Sequence, residues 1–182
     1  MLYIIGGASR VGKSTLAQIL LERDKVAYVD IDWIVSMLMH ASPQLNIKYA
    51  TEFSNSAFIE KANNFFPYLY QFIKYNQPVV DKYTIEGDSI LPKQVHQLQK
   101  EFSIKACFLG VSTLKPETLY EYKSKNNWIK VLTPEQIIAL CNWSVSVSNY
   151  LQNECELYKI PYFDLSHDYH NALEKAYSSL HD

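Results

Sequence analysis

The stretch Gly6-Gly7-Ala8-Ser9-Arg10-Val11-Gly12-Lys13-Ser14 decides the fold. From Gly7 to Ser14 it matches G-x-x-x-x-G-K-[ST] without a mismatch. Glycines let the backbone bend so that successive N–H groups point inward at a polyphosphate. Lys13 reaches the β- and γ-phosphates, the Ser14 hydroxyl suits Mg²⁺, and a helix opening here adds its positive end. The context agrees: the apolar run Leu2–Ile5 reads as a strand buried on both faces, and Ser14 to about Arg23 reads as a helix. Residues Gly7, Ala8, Ser9, Arg10, Val11, Gly12, Lys13, Ser14 and Thr15 are therefore expected to hold a nucleoside triphosphate. A dinucleotide-binding loop is excluded, because Gly6, Gly7 and Gly12 do not fit G-x-G-x-x-G.

Composition sharpens the point. The chain has 182 residues with 5 glycines, and three of these fall between positions 6 and 12. A glycine-poor chain is using glycine in that loop. A formal net charge of −2 gives no electrostatic footprint for nucleic acid or anionic lipid. Cys107, Cys141 and Cys155 show no metal-ligand spacing, fit a reducing, cytoplasmic setting and read as core. The N-terminus turns into glycines at once, so neither a signal peptide nor a membrane span is expected there.

Outward from the loop, strands alternate with helices. Strands are expected at Val26–Val29, at the Tyr83-Thr84-Ile85 end of Val79–Glu86, at Ile104–Leu109 and at Pro161-Tyr162-Phe163-Asp164. Asp32 is expected to cap a helix through about His40. Residues 41–54 read as loop. From Asn55 to Asn76, Phe58, Ala62, Phe65, Leu69 and Ile73 keep the helical period, and Pro67 predicts a kink or a break into two helices. Pro92 opens a helix to about Glu101. Thr133-Pro134-Glu135-Gln136 is a capping box for a long helix through Tyr158, and a last helix fills Tyr169–Leu180. Crossovers of this length imply one α/β domain, a parallel sheet with helices on both faces.

With these residues in hand, the chain resembles the small P-loop kinases. These comprise nucleoside monophosphate, shikimate and gluconate kinases, and above all the 2-phosphoglycerate-kinase-like and adenylate-kinase-like sequences. The resemblance implies a three-layer P-loop NTPase fold with strand order 2-3-1-4-5. It also implies an acceptor-covering helical segment at about 41–76 and a small helical lid at about 112–133. It implies ATP and Mg²⁺ as cofactors and a small-molecule acceptor. Asp30-Ile31-Asp32 matches the D-x-D that serves metal and acceptor hydroxyl in shikimate-kinase-like enzymes. By that resemblance Ser14 and Asp30 would face the metal, and Asp32 would orient or deprotonate the acceptor, with Lys13 stabilising the transferred group.

Glu86, Gly87 and Asp88 follow the third strand. One of the two acids would hold Mg²⁺ through water or bind the acceptor beside Gly87. Ser166-His167-Asp168 lies where adenine rests in such kinases. The expected activity is Mg-ATP-dependent phosphoryl transfer to a small-molecule hydroxyl. The alternatives are a nucleoside monophosphate kinase and an ATP-binding regulator or toxin-like protein with little turnover.

The departure is in the lid. Kinases of this class close arginines over the transferring phosphoryl group. Residues 112–132 contain four lysines and no arginine. Lys123 and Lys125 are the lid candidates, with Lys115 and Lys130 flanking, and lysine supplies a point charge rather than a bidentate fork. The whole chain has only Arg10 and Arg23. Of the aromatics between Phe53 and Phe72, most are expected in the core and one or two at the pocket. Trp128 in the polar stretch calls for a packing partner.

Overall fold

A computed structural model describes residues 1–45, 47, 53–121 and 128–181, with the backbone alone for Tyr120, Glu121 and Trp128. Five strands form one parallel sheet in the order β2-β3-β1-β4-β5. They are β1 (Leu2–Gly7), β2 (Tyr28–Asp30), β3 (Tyr83–Glu86), β4 (Ile104–Gly110) and β5 (Tyr162–Asp164). β1 sits centrally, pairing Ile4 with Ile85 on one side and with Ala106 on the other. Every residue of β1 is buried, which is why it reads as a continuous apolar run rather than an alternating one.

Seven α-helices complete the described fold: α1 (Lys13–Asp24), α2 (Ile31–Ala41), α3 (Asn55–Asn76), α4 (Pro92–Leu98), α5 (Pro116–Glu121), α6 (Pro134–Tyr158) and α7 (Tyr169–Ser179). α1 and α7 pack together over the sheet; α4 and α3 pack on α6, which lies along β4. The main core joins all five strands. A second, smaller cluster holds Leu119 of α5, Ile129, and Ile137, Leu140 and Cys141 of α6. α5 and the turn at Ile129 are therefore anchored to the first turns of α6. All three cysteines are buried. Among the described residues no helix is long and apolar enough to cross a membrane.

Three expectations are corrected. Asp30, not Asp32, caps α2: its carboxylate accepts the Asp32 backbone N–H at 2.8 Å. β2 ends at Asp30, one residue later than expected, which brings Asp30 to the strand end where the cap is needed. α3 runs unbroken through Pro67, so of the two alternatives the break into two helices is the one overturned. Pro67 leaves the Asn63 carbonyl without its helical donor. Gln94 of α4 braces this turn, donating to the Ala62 carbonyl and to Asn63 Oδ1, each at 3.1 Å. The buried stripe of Phe58, Ala62, Phe65, Leu69 and Ile73 continues across the proline and holds both halves to one surface. Finally, α4 ends at Leu98 rather than near Glu101.

Candidate active site

In open parallel α/β sheets, ligands bind beyond the carboxyl ends of the strands. Here that edge opens into a cleft of about 800 Å³. Its floor is the loop from Ser9 to Thr15; one wall carries Asp30, Asp32, Glu86, Gly87 and Asp88. The opposite wall comprises Val111, Thr113, Leu114, Lys115, Thr118 and Leu119 with Leu165, Ser166 and Tyr169.

The loop's shape follows from two glycines. Gly7 has φ 148° and Gly12 has φ 99°, both in the region that L side chains avoid. A Cβ on Gly7 would run into the Leu109 carbonyl oxygen, and one on Gly12 would sit 2.7 Å from the Tyr169 hydroxyl. Ala8 is fully buried and ties the loop to the sheet through its N–H to the Leu109 carbonyl, at 3.3 Å. Lys13 folds back over the loop and donates to the Ala8 carbonyl at 2.7 Å. Arg10 takes a left-handed φ of 65°, and burial lowers its guanidinium pKa while nearby Asp32 opposes that shift.

Ser14 and Glu86 meet at the foot of the cleft. Ser14 Oγ donates to Glu86 Oε1 at 2.7 Å. Glu86 is only 2% exposed, and burial raises its pKa against the pull of Lys13 and the Ser14 hydrogen bond. Gly87 owes its place to packing rather than to backbone freedom: a Cβ there would lie 2.7 Å from Ile31 Cβ. That contact seats the start of α2, and with it Asp30 and Asp32, against the end of β3.

The acids on this wall differ electrostatically. Burial raises the Asp30 pKa, opposed by the Asp32 backbone N–H and Lys13. Asp32 is pushed up to about 6, by burial first and then by the neighbouring Asp88 carboxylate. Burial would raise Asp88 as well, but Lys61, Lys13 and the hydrogen bonds from Lys61 and Ser89 outweigh it and hold it low. Lys61 of α3 makes this split. Its Nζ lies 2.9 Å from Asp88 and 3.8 Å from Asp32, and its side chain is 9% exposed.

Sequence reasoning missed Lys61, although its signal was present. It stands three residues after Phe58 and four before Phe65, on the apolar stripe of α3. A lysine on such a stripe requires buried anionic partners. Reasoning also missed Tyr169, whose hydroxyl donates to Thr15 Oγ1 at 3.3 Å over the loop. Ser166 ties its own wall of the cleft together, its Oγ accepting from the backbone N–H groups of Ser112 at 2.8 Å and Thr113 at 3.0 Å. His167 and Asp168 instead line a smaller neighbouring cavity, and Asp168 caps α7. Among the described residues, none of the aromatics from Phe53 to Phe72 lines the cleft. Lys123, Lys125 and the Trp128 side chain lie outside the described residues, while Lys115 lines the cleft. Arg23 is remote from it, in a bidentate pair with Glu174 on α7 at 2.6 and 2.7 Å.

No protein-family model and no curated protein matches the chain. Solved structures do. A gluconokinase from Sinorhizobium meliloti 1021 superposes with a TM-score of 0.57 at 12% identity, covering 99% of this chain and 90% of that one. A shikimate kinase from Bacteroides thetaiotaomicron gives 0.55 at 15% identity, covering 99% and 95%. The fold is that of the small P-loop kinases. A sugar kinase from Janibacter sp. HTCC2649 shares it, with a TM-score of 0.57, 15% identity and coverage of 99% and 94%. At these identities the likeness speaks to the small P-loop kinase fold alone. The expected strand order 2-3-1-4-5 is the observed one.

Proposed function

We propose that the protein is a Mg-ATP-dependent phosphotransferase acting on the hydroxyl of a small molecule. The observation that carries this reading is the hydrogen bond of 2.7 Å between Ser14 and Glu86, directly under the phosphate loop. It sets a hydroxyl and a buried carboxylate together where a nucleotide's outer phosphates would lie, on a fold shared with gluconokinase, shikimate kinase and sugar kinase structures.

The donor set suits Mg²⁺, a hard cation that keeps several waters and takes oxygen ligands. Among the described residues no group of three His, Cys, Asp or Glu side chains forms a metal site by itself. That fits an ion held chiefly by nucleotide phosphates, with Ser14 Oγ as a protein ligand and Glu86 and Asp30 acting through its waters. Bound there, the ion would neutralise charge on the β- and γ-phosphates. Residues Gly7 to Thr15 supply backbone N–H donors, and Lys13 exchanges the Ala8 carbonyl for phosphate oxygen.

Asp32 stands on the acceptor side of the wall, with Glu86, Gly87 and Asp88 completing it. The acceptor hydroxyl oxygen attacks the γ-phosphorus and passes its proton to Asp32. The bond from that phosphorus to the bridging oxygen breaks, and its electron pair stays on ADP. A pKa near 6 leaves Asp32 ionised at neutral pH yet more basic than an ordinary aspartate. Lys115 on the opposite wall, with Lys123 and Lys125, would supply the lid's positive charge. The acceptor would be a cytoplasmic small metabolite, neither nucleic acid nor lipid, and the chain would act as one kinase-like domain.

The test is ADP release in Mg-ATP with a panel of sugars, hydroxy acids, nucleosides and nucleoside monophosphates. Stimulation by one acceptor class supports the kinase. Stimulation by a nucleoside monophosphate alone would identify an adenylate-type kinase. Tight ATP binding with a flat panel contradicts turnover and supports a nucleotide-responsive regulator, the reading that the arginine-free stretch 112–132 favours.

A further inference from the structure

We propose that Lys61 is the positioning residue of the acceptor end of the cleft, tying Asp88 to Asp32 from α3 so that both carboxylates are presented to the acceptor. This inference rests on the phosphotransferase reading above and deepens it. Lys61 is not on the rim of the cleft, so its role is exerted through the two acids.

The geometry is specific. Asp32 belongs to the first turn of α2, Asp88 to the loop after β3, and Lys61 to the second turn of α3; no two share an element. The ammonium makes a hydrogen-bonded ion pair with Asp88 Oδ1 at 2.9 Å and a looser one with Asp32 Oδ1 at 3.8 Å. Ser89 Oγ donates to the same Asp88 oxygen at 3.2 Å. Two carboxylates drawn this close repel each other, and without an intervening cation one of them must swing away or take up a proton. Arg10 acts on Asp32 and Lys13 on both acids, but both cations belong to the phosphate loop, whereas Lys61 reaches the pair from α3 and donates a hydrogen bond to Asp88.

A 9% exposed lysine has given up most of its hydration, a loss that only tight partners offset. Its neighbours along the helix, Phe58, Ala62 and Phe65, are buried and anchor this face of α3 in the core. The ammonium therefore has little freedom to follow a moving carboxylate. The carboxylates are held to it instead. The tie also couples α3 to the acceptor: whatever shifts this helix shifts both acids together.

The experiment compares wild type with Lys61→Met, Lys61→Gln and Lys61→Arg. Each is assayed for ADP release with the acceptor found in the panel above, and for binding of a non-hydrolysable ATP analogue with Mg²⁺ by calorimetry. Lys61→Met is expected to lower kcat/KM for the acceptor by about ten- to hundredfold, as for loss of a charge-assisted contact. Analogue affinity should stay within about twofold, since Lys61 pairs with Asp88 and Asp32 on the acceptor wall. Lys61→Arg should recover part of the loss, and Lys61→Gln stands in where the methionine variant does not fold.

Unchanged acceptor kinetics in the neutral variants would overturn the proposal while leaving the kinase reading intact. So would a parallel loss of analogue affinity, or an arginine variant no better than the neutral ones. If wild type releases no ADP with any acceptor, the kinase reading itself fails and the role of Lys61 falls with it.

Discussion

Ser14 Oγ donates a hydrogen bond of 2.7 Å to Glu86 Oε1, joining the first turn of α1 to the last residue of β3 across 72 positions of sequence. Neighbouring strands make this possible. β1 delivers the phosphate loop and β3 delivers Glu86, with Ile5 opposite Glu86 in register. If Glu86 orients the waters of Mg²⁺, then Glu86→Gln keeps the shape and removes the charge. Turnover should fall by about a hundredfold or more, and the Mg²⁺ concentration for half-maximal rate should rise. A titration of rate against Mg²⁺ at saturating ATP reads both. Unchanged Mg²⁺ dependence would assign the role to Asp30 instead.

Asp30 can be tested separately because its two roles respond differently to substitution. As the cap of α2 it is replaceable by asparagine, whereas alanine costs about 1 kcal/mol. Asp30→Asn should therefore match wild type in urea unfolding, and Asp30→Ala should fall below it. If the charge also serves the metal waters, both variants lose activity alike. Activity that follows only stability would confine Asp30 to capping.

Gly7 is expected to tolerate nothing larger. Alanine there combines a φ of 148° with a collision against the Leu109 carbonyl, which is backbone and moves only with β4. A loss of about 2 to 4 kcal/mol is expected on chemical denaturation. A near-neutral Gly7→Ala would contradict the described loop.

The pH dependence of stability carries the signature of Asp32. Its folded pKa of about 6 lies above the ordinary value of about 3.9. Between those values the folded state holds a proton that the unfolded state has shed. The contribution of Asp32 to stability therefore rises as pH falls from about 7 toward 4, and is absent in Asp32→Asn. Thermal unfolding of both proteins in EDTA, subtracted at each pH, isolates this slope. A flat difference, or one favouring wild type at higher pH, would contradict the raised pKa of Asp32 beside Asp88.

Much of this arrangement was legible from local chemistry. The apolar run into Gly6 and Gly7, and the Lys13-Ser14 step into a helical period, specify β1, the loop and α1, because each depends on residues adjacent in sequence. The capping box at Thr133 and the stripe of α3 are legible for the same reason. The placement of Asp30 as cap was not, since it turns on where β2 ends, a matter of pairing with β3 rather than of propensity. Pro67 misleads because the brace from Gln94 comes from another helix. Lys61 was hidden by the same kind of distance: its partners stand 29 positions before it and 27 after it. Non-local electrostatics leave only an indirect trace, here a charge on an apolar stripe.

The central claim is most directly tested by calorimetric titration of Mg-ATP into wild type and Lys13→Ala. The account predicts saturable one-site binding to wild type, weakened by about tenfold or more when Lys13 can no longer exchange the Ala8 carbonyl for phosphate. Absence of binding to wild type, or equal affinity in the two proteins, would contradict it.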